Sequence, residues 1–185
     1  MSERKIDPAE RRILRLRAHA DENPTARATW ELAAAAYGSR PRNEATMPTG
    51  FDPSAVLLFE GMVEAAFLAA VCDGIFDDKE RELFSRLVVF LGAGAIPKSL
   101  VFKLVAELED LLARDGFAER VKAVCEKVHR PEYGKELLRV AILLAMASDD
   151  VSAREREILD EIARGLPVPS GVLDVLIEEV RAAVG

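Results

Sequence analysis

Residues 63–87 can be laid on residues 138–162 with a constant shift of 75 and no gap, and this internal repeat limits the possible folds more than any other feature of the chain. Under the shift Ala66, Leu68, Ala70, Glu80, Arg81 and Glu82 meet Ala141, Leu143, Ala145, Glu155, Arg156 and Glu157. Apolar positions correspond too: Phe67 with Ile142, Val71 with Met146, Phe76 with Val151, Leu83 with Ile158, Leu87 with Ile162. Each copy reads as an apolar helix, a tight acidic elbow and an amphipathic helix. Two such units are expected to form a pseudo-twofold core in which each buries the apolar face of the other. Ala, Leu and Glu recur in any helix, so chance likeness is the competing explanation. The coincidence of the elbow with the Glu-Arg-Glu triplet favours a duplication.

Helix signals fill the remainder, and strand signals are nearly absent. Asp7-Pro8-Ala9-Glu10 joins an N-cap, a Pro at the first helical position and a Glu at N3, ahead of an apolar stripe of Ile13, Leu16 and Ala20. Asn23-Pro24 opens a second helix that carries Trp30 and Ala33–Ala36 and stops at Gly38. Ser39–Asp52 is rich in Pro, Gly and polar residues and reads as a linker. Beyond it, helices are expected from Asp52-Pro53 to Cys72-Asp73-Gly74, from Asp77 to Gly92 and from Pro97 to Gly116. Further helices follow over Phe117–His129, from Pro131 through Ala147, from Ser152 to Gly165 and from Pro169-Ser170 to Val184. The expected fold is all-α: one bundle of about seven core helices with the two helix–elbow–helix repeats, plus an N-terminal helix pair. Residues 1–50 form the helical extension and linker, and residues 51–185 the helical domain.

Composition excludes several classes. Half of the residues are hydrophobic, enough for a core and far from a disordered composition. The longest uninterrupted apolar runs, Ala65–Cys72 and Val140–Ala147, are eight residues each, too short to span a bilayer, so no membrane span is expected. The N-terminus is charged where a signal peptide is apolar. Cys72 and Cys125 form no C-x-x-C and read as buried thiols of a cytoplasmic protein, with a single bridge left open. Residues 1–50 carry nine basic and seven acidic side chains, a net +2 that leaves −9 for the rest of a chain whose total is −7. That acidity argues against nucleic-acid binding. Arg11 and Arg15, one helical turn apart, are a local exception that suits phosphate, lipid headgroups or an acidic partner; a plain solvated face is the simpler reading.

The first elbow reads Cys72-Asp73-Gly74-Ile75-Phe76-Asp77-Asp78-Lys79-Glu80. Asp73 falls at a helix C-terminus, where unsatisfied carbonyls already make the potential negative. Asp77, Asp78 and Glu80 follow within a turn. Carboxylates and carbonyls gathered at one bend suit a hard cation, Ca²⁺ or Mg²⁺ rather than Zn²⁺. The elbow is too short for an EF-hand loop. The alternative is structural: Asp77-x-x-Glu80 and Ser152-x-x-Glu155 fit capping boxes that need no metal. Asp73 is not explained by a cap, and is either solvated or paired with Arg81 or Arg86.

The stretches AAFLAAVCDGIFDDKERELF and VAILLAMASDDVSAREREIL each run from an Ala-rich helix through an acidic bend to a capping Asp or Ser and a Glu-led helix. The first carries Asp-Gly at its bend. This doubled pattern resembles the TerB-like domain of bacterial tellurite-resistance proteins, over roughly residues 55–184. The resemblance implies an all-helical domain with an acidic cluster proposed to bind metal, linked to chemical stress and to membrane-associated complexes. Carried over by position, it points to Asp73 and Glu80 in the first copy and Glu155 in the second. The second copy departs from the pattern: Ser148 stands in place of the leading Asp and Asp149 in place of the Gly, with Asp150 next. Asp149 or Asp150 could substitute with a shifted reach. The expected metal-site set is therefore Asp73, Asp77, Glu80, Asp149, Asp150 and Glu155.

Other chemistry is poorly supported. Glu126-x-x-His129 has the spacing of a carboxylate-bridged di-iron helix, but a second such motif is missing because Leu16 sits three residues before His19. There is no G-x-S-x-G elbow, neither Cys has a His close in sequence, and Gly92-Ala93-Gly94 lacks the Lys-Ser of a phosphate loop. No organic cofactor is expected. The reading is a non-catalytic module with a divalent cation and a protein partner in a stress-response complex. A metal-independent interaction scaffold, working through the N-terminal helices or a groove between the repeats, is the alternative; a metal-dependent enzyme ranks last.

Overall fold

The computed structural model describes residues 11, 15, 24–40, 52–74, 76–92, 94–146 and 150–184. Among them are eight helices and no strand. They are α1 (Pro24–Gly38), α2 (Pro53–Ala70), α3 (Asp78–Leu91), α4 (Lys98–Asp115), α5 (Phe117–Glu126), α6 (Pro131–Ala145), α7 (Ala153–Gly165) and α8 (Val172–Val184). The all-α bundle expected from the sequence is thus observed. Of the first expected helix only Arg11 and Arg15 lie within the described residues, both helical; its apolar stripe and most of the linker lie outside them.

The repeat is carried into the backbone. α2 ends at Ala70 and α6 at Ala145, while α3 begins at Asp78 and α7 at Ala153, so both boundaries coincide under the shift of 75. The residues just past the first helices match in conformation, with Val71 at φ −99°, ψ 7° and Met146 at φ −75°, ψ 0°. The N-caps match as well: Asp77 at φ −76°, ψ 173° and Ser152 at φ −68°, ψ 163°.

α2 and α6 pack along each other at the centre. Their contact is rich in small residues: Ala65, Ala66, Ala69 and Ala141 are fully buried, with Leu68, Leu138 and Leu143 filling the gaps. α2 also packs on α5 and α7, and α6 on α7 and α8. By length and apolarity α2, at mean hydropathy 1.5, meets the requirement for crossing a membrane, which the eight-residue runs alone did not suggest. Two-thirds of it is buried inside the bundle, where that apolarity is used.

α1 closes one flank of this same core. Trp30, Ala33, Ala34 and Tyr37 are buried, and the Tyr37 ring lies 4.8 Å from that of Phe59 on α2. Arg40 stacks over Tyr37 at 4.4 Å and pairs with Glu60 at 3.1 Å. Gly38 seats the end of α1 on the turn after α3, where a Cβ would stand 2.1 Å from the Ala95 carbonyl oxygen. No side chain larger than hydrogen fits there.

Charged groups cross the bundle at two further places. Glu64, 1% exposed in the middle of α2, accepts from Arg120 Nε at 2.7 Å and from Lys127 Nζ at 2.7 Å, and Arg120 also reaches Asp115. Its counterpart under the shift is Arg139, which pairs with Glu136 on α6 and with Glu179 on α8 at 3.0 Å. A buried charge is tolerated only when paired in this way.

Candidate functional site: the cleft between the two elbows

The first elbow follows from three local rules. α2 ends at Ala70, and four residues on Gly74 takes a φ of 83°, a conformation glycine adopts without steric cost, with its N–H donating to the Val71 carbonyl at 3.0 Å. The chain then turns into the Asp77 cap. Asp77 Oδ1 accepts from the Lys79 and Glu80 N–H groups at 2.8 and 2.9 Å, and Glu80 Oε2 accepts from the Asp77 N–H at 3.0 Å. Those backbone donors, that of Glu80 above all, hold the Asp77 carboxyl below the usual carboxylate range.

The second elbow repeats the device with a hydroxyl. Ser152 Oγ accepts from the Glu155 N–H at 3.2 Å and Glu155 Oε2 from the Ser152 N–H at 2.7 Å. Both capping boxes anticipated from the sequence are therefore closed. Asp150 accepts from the Val151 N–H at 2.9 Å and pairs with Arg181 of α8 through both oxygens, at 3.0 and 3.1 Å.

Tertiary packing brings the elbows onto one cleft of about 380 Å³. Asp73 and Glu80 from the first, and Asp150 and Glu155 from the second, stand around an apolar floor that includes Leu83, Phe84, Leu87 and Leu144. The lining among the described residues holds these four carboxylates and no Lys, Arg or His. Of the six expected site residues, four thus share the cleft. Asp77 lies outside its lining with its carboxylate committed to the cap, and Asp149 lies outside the described residues.

The cleft is not a ready-made chelate. Among the described residues no three Asp, Glu, His or Cys side chains are grouped closely enough to hold a metal ion. Arg81, one of the cations considered for Asp73, turns instead to Asp78 and makes a bidentate pair with Glu109 at 2.6 and 3.0 Å. Cys72 also lines the cleft. Burial first, then the nearby carboxylates of Glu155 and Asp73, pushes its thiol up, so it is held as the neutral thiol. Both cysteines are free and half-buried, and the Cys125 thiol donates to the Ile162 carbonyl at 3.5 Å.

Sequence reasoning missed the Glu64 network. Its signal was present: one acidic residue inside the apolar run Met62–Ala70 has no reason to be there unless a basic partner is supplied from elsewhere. The Glu126/His129 pair falls on a different, open groove with Cys125 and Glu161, away from the elbows.

Comparison with protein-family models, with curated proteins and with solved structures finds no match to this chain.

Proposed function

We propose that the chain is a non-catalytic binding module of TerB-like type, which takes a divalent cation at the mouth of the elbow cleft and works with a protein partner in a bacterial stress-response complex of the tellurite-resistance kind. The observation that carries this reading is the convergence of Asp73, Glu80, Asp150 and Glu155, two from each repeat, on one opening without a basic residue in its described lining. All four offer oxygen, which suits Ca²⁺ or Mg²⁺ better than Zn²⁺. Glu80 and Glu155 commit Oε2 to their caps, so the cation would be held by Asp73 and Asp150 with support from the other glutamate oxygens. Asp150 would have to loosen its hold on Arg181, and binding is therefore expected to move α8 relative to the elbow.

A second reading has its own support. Both capping boxes are closed and Asp150 is paired, so these carboxylates have a structural use without any ion. On that reading the groove between the repeats is a metal-independent docking surface. Thermal unfolding after EDTA treatment, with Ca²⁺, Mg²⁺, Mn²⁺ and Zn²⁺ returned separately, decides between them. Ligand at a hundredfold over its Kd stabilises a fold by about 2.7 kcal/mol. A raised midpoint with one ion, lost in Asp73→Asn and in Asp150→Asn, supports the cation; no shift with any ion overturns it and leaves the docking surface.

A further inference from the structure

The buried side of α1 carries a polar group that the fold leaves unsatisfied. Trp30, the chain's single tryptophan, is 6% exposed, and its Nε1–H finds no acceptor among the described residues. A buried indole N–H normally has a partner, because giving up its hydrogen bond to water costs free energy that burial of the ring must offset. Trp30 lines a pocket on the flank of the core with Ala34 of α1, Met62 and Val63 of α2, Val88 of α3 and Leu144 of α6. Apart from the indole, every described side chain of that lining is apolar.

The pocket measures about 20 Å³, room for about one water molecule. Water is a poor occupant, since it needs two to four polar partners and the lining side chains supply a single donor. A molecule with an apolar body and one hydrogen-bond acceptor matches both features: the acceptor satisfies Nε1–H and the carbons take the apolar walls. Such a molecule is larger than one water, so α1 has to yield. The helix is fixed at its C-terminal end, where Gly38 meets the Ala95 carbonyl, Tyr37 lies on Phe59 and Arg40 pairs with Glu60. An outward tilt about that end widens the pocket and leaves the α2–α6 packing at the centre in place.

We propose that the pocket under Trp30 is a binding site for a small neutral molecule with an apolar body and one carbonyl acceptor, of the ketone or ester class, which hydrogen-bonds the indole and is admitted by a tilt of α1. The site shares Leu144 with the elbow cleft but none of its carboxylates, and it needs no cation.

Because Trp30 is the only tryptophan, its indole N–H gives a single cross-peak in a nitrogen–proton correlation spectrum of the full chain. Titration with butanone, 2-pentanone and 2-hexanone should move that peak downfield and saturate, with affinity rising about fourfold for each added methylene. Pentane, which has the apolar body without the acceptor, should not move the peak downfield. Ala34→Leu fills the pocket from α1 and should abolish the ketone shift. Val63→Leu fills it from α2 and repeats the measurement should Ala34→Leu disturb the fold, which helical circular dichroism reports. A peak that stays in place with all three ketones overturns the proposal. So does one that moves as far with pentane, or a ketone shift that survives in a folded variant with the pocket filled.

Discussion

The two elbows are framed by the same helix ends and caps and differ in chemistry. Helix ends, helix starts and cap conformations coincide under a shift of 75 residues, yet the cap is Asp77 in one and Ser152 in the other. Around the first elbow three aromatic rings meet edge to face: Phe67 with Phe76 at 5.4 Å, Phe67 with Phe84 at 6.3 Å, and Phe76 with Phe84 at 6.2 Å. Around the second, the same positions are Ile142, Val151 and Leu159. In the leading helices the buried charge is inverted, Glu64 held by basic partners and Arg139 by acidic ones. The frame is set by backbone hydrogen bonds and apolar volume, which both copies satisfy. Charge sign and ring shape are free to diverge provided each local pair closes.

That comparison can be broken most decisively at the buried charges. Glu64→Ala leaves Arg120 and Lys127 without their shared carboxylate in a nearly closed site, and should cost about 3–5 kcal/mol in urea unfolding. Arg139→Ala should cost somewhat less, about 2–3 kcal/mol, because it leaves one buried carboxylate, Glu136, without its partner while Glu179 is half-exposed and regains water. A larger loss at Arg139 would show that the second helix pair, not the first, holds the bundle together. Replacing Glu64, Arg120 and Lys127 together by Leu, Met and Met should recover much of the loss, since a well-packed apolar substitute avoids desolvation.

A smaller effect separates the apolar surroundings of the elbows. Phe76→Ala removes one ring from the aromatic trio and should cost about 2–3 kcal/mol, whereas Val151→Ala should cost about 1 kcal/mol. Comparable losses would mean that the trio adds nothing beyond volume.

The smallest effect is the most diagnostic. Ser152→Ala should cost about 1 kcal/mol at every pH, because a hydroxyl cap does not titrate. Asp77→Ala should destabilise at neutral pH and lose its effect in acid. The Asp77 carboxyl titrates lower in the folded chain than in the unfolded one, so its contribution is complete above the usual carboxylate value. It fades as pH falls through the lowered value, below about pH 4. Urea midpoints of both variants followed from pH 7 downward check this; an Asp77→Ala deficit that stays constant however far the pH is lowered while the protein remains folded would show that the cap acts by shape rather than charge.

Much of the fold was legible because its determinants are local. The caps at Asp52, Asp77 and Ser152, the prolines at 53 and 131 and the glycines at 38, 92 and 116 place helix boundaries within a few residues of where they are found, since each acts on hydrogen bonds within one turn. Asp73 and Glu80 could be singled out from the first elbow itself, whereas Asp150 and Glu155 entered the expected set through the doubled pattern and the resemblance it carries. The capping boxes could also be anticipated, because a donor and an acceptor three residues apart need no tertiary context.

What the sequence could not decide is which of these residues look at one another. Nothing in the spacing says that carboxylates some seventy residues apart line one cleft, that Asp77 is turned away into its cap, or that Asp150 is taken by Arg181. Nor does it say that the N-terminal helix Pro24–Gly38 is part of the core, or that Glu64 meets Arg120 and Lys127 across two helices. The helices, their ends and their apolar faces are encoded locally, because hydrogen bonds and side-chain periodicity act within a few residues. The cleft and the buried charge pairs come only with tertiary packing, because α2 against α6 and α5, and α6 against α8, set the distances between groups far apart in the chain.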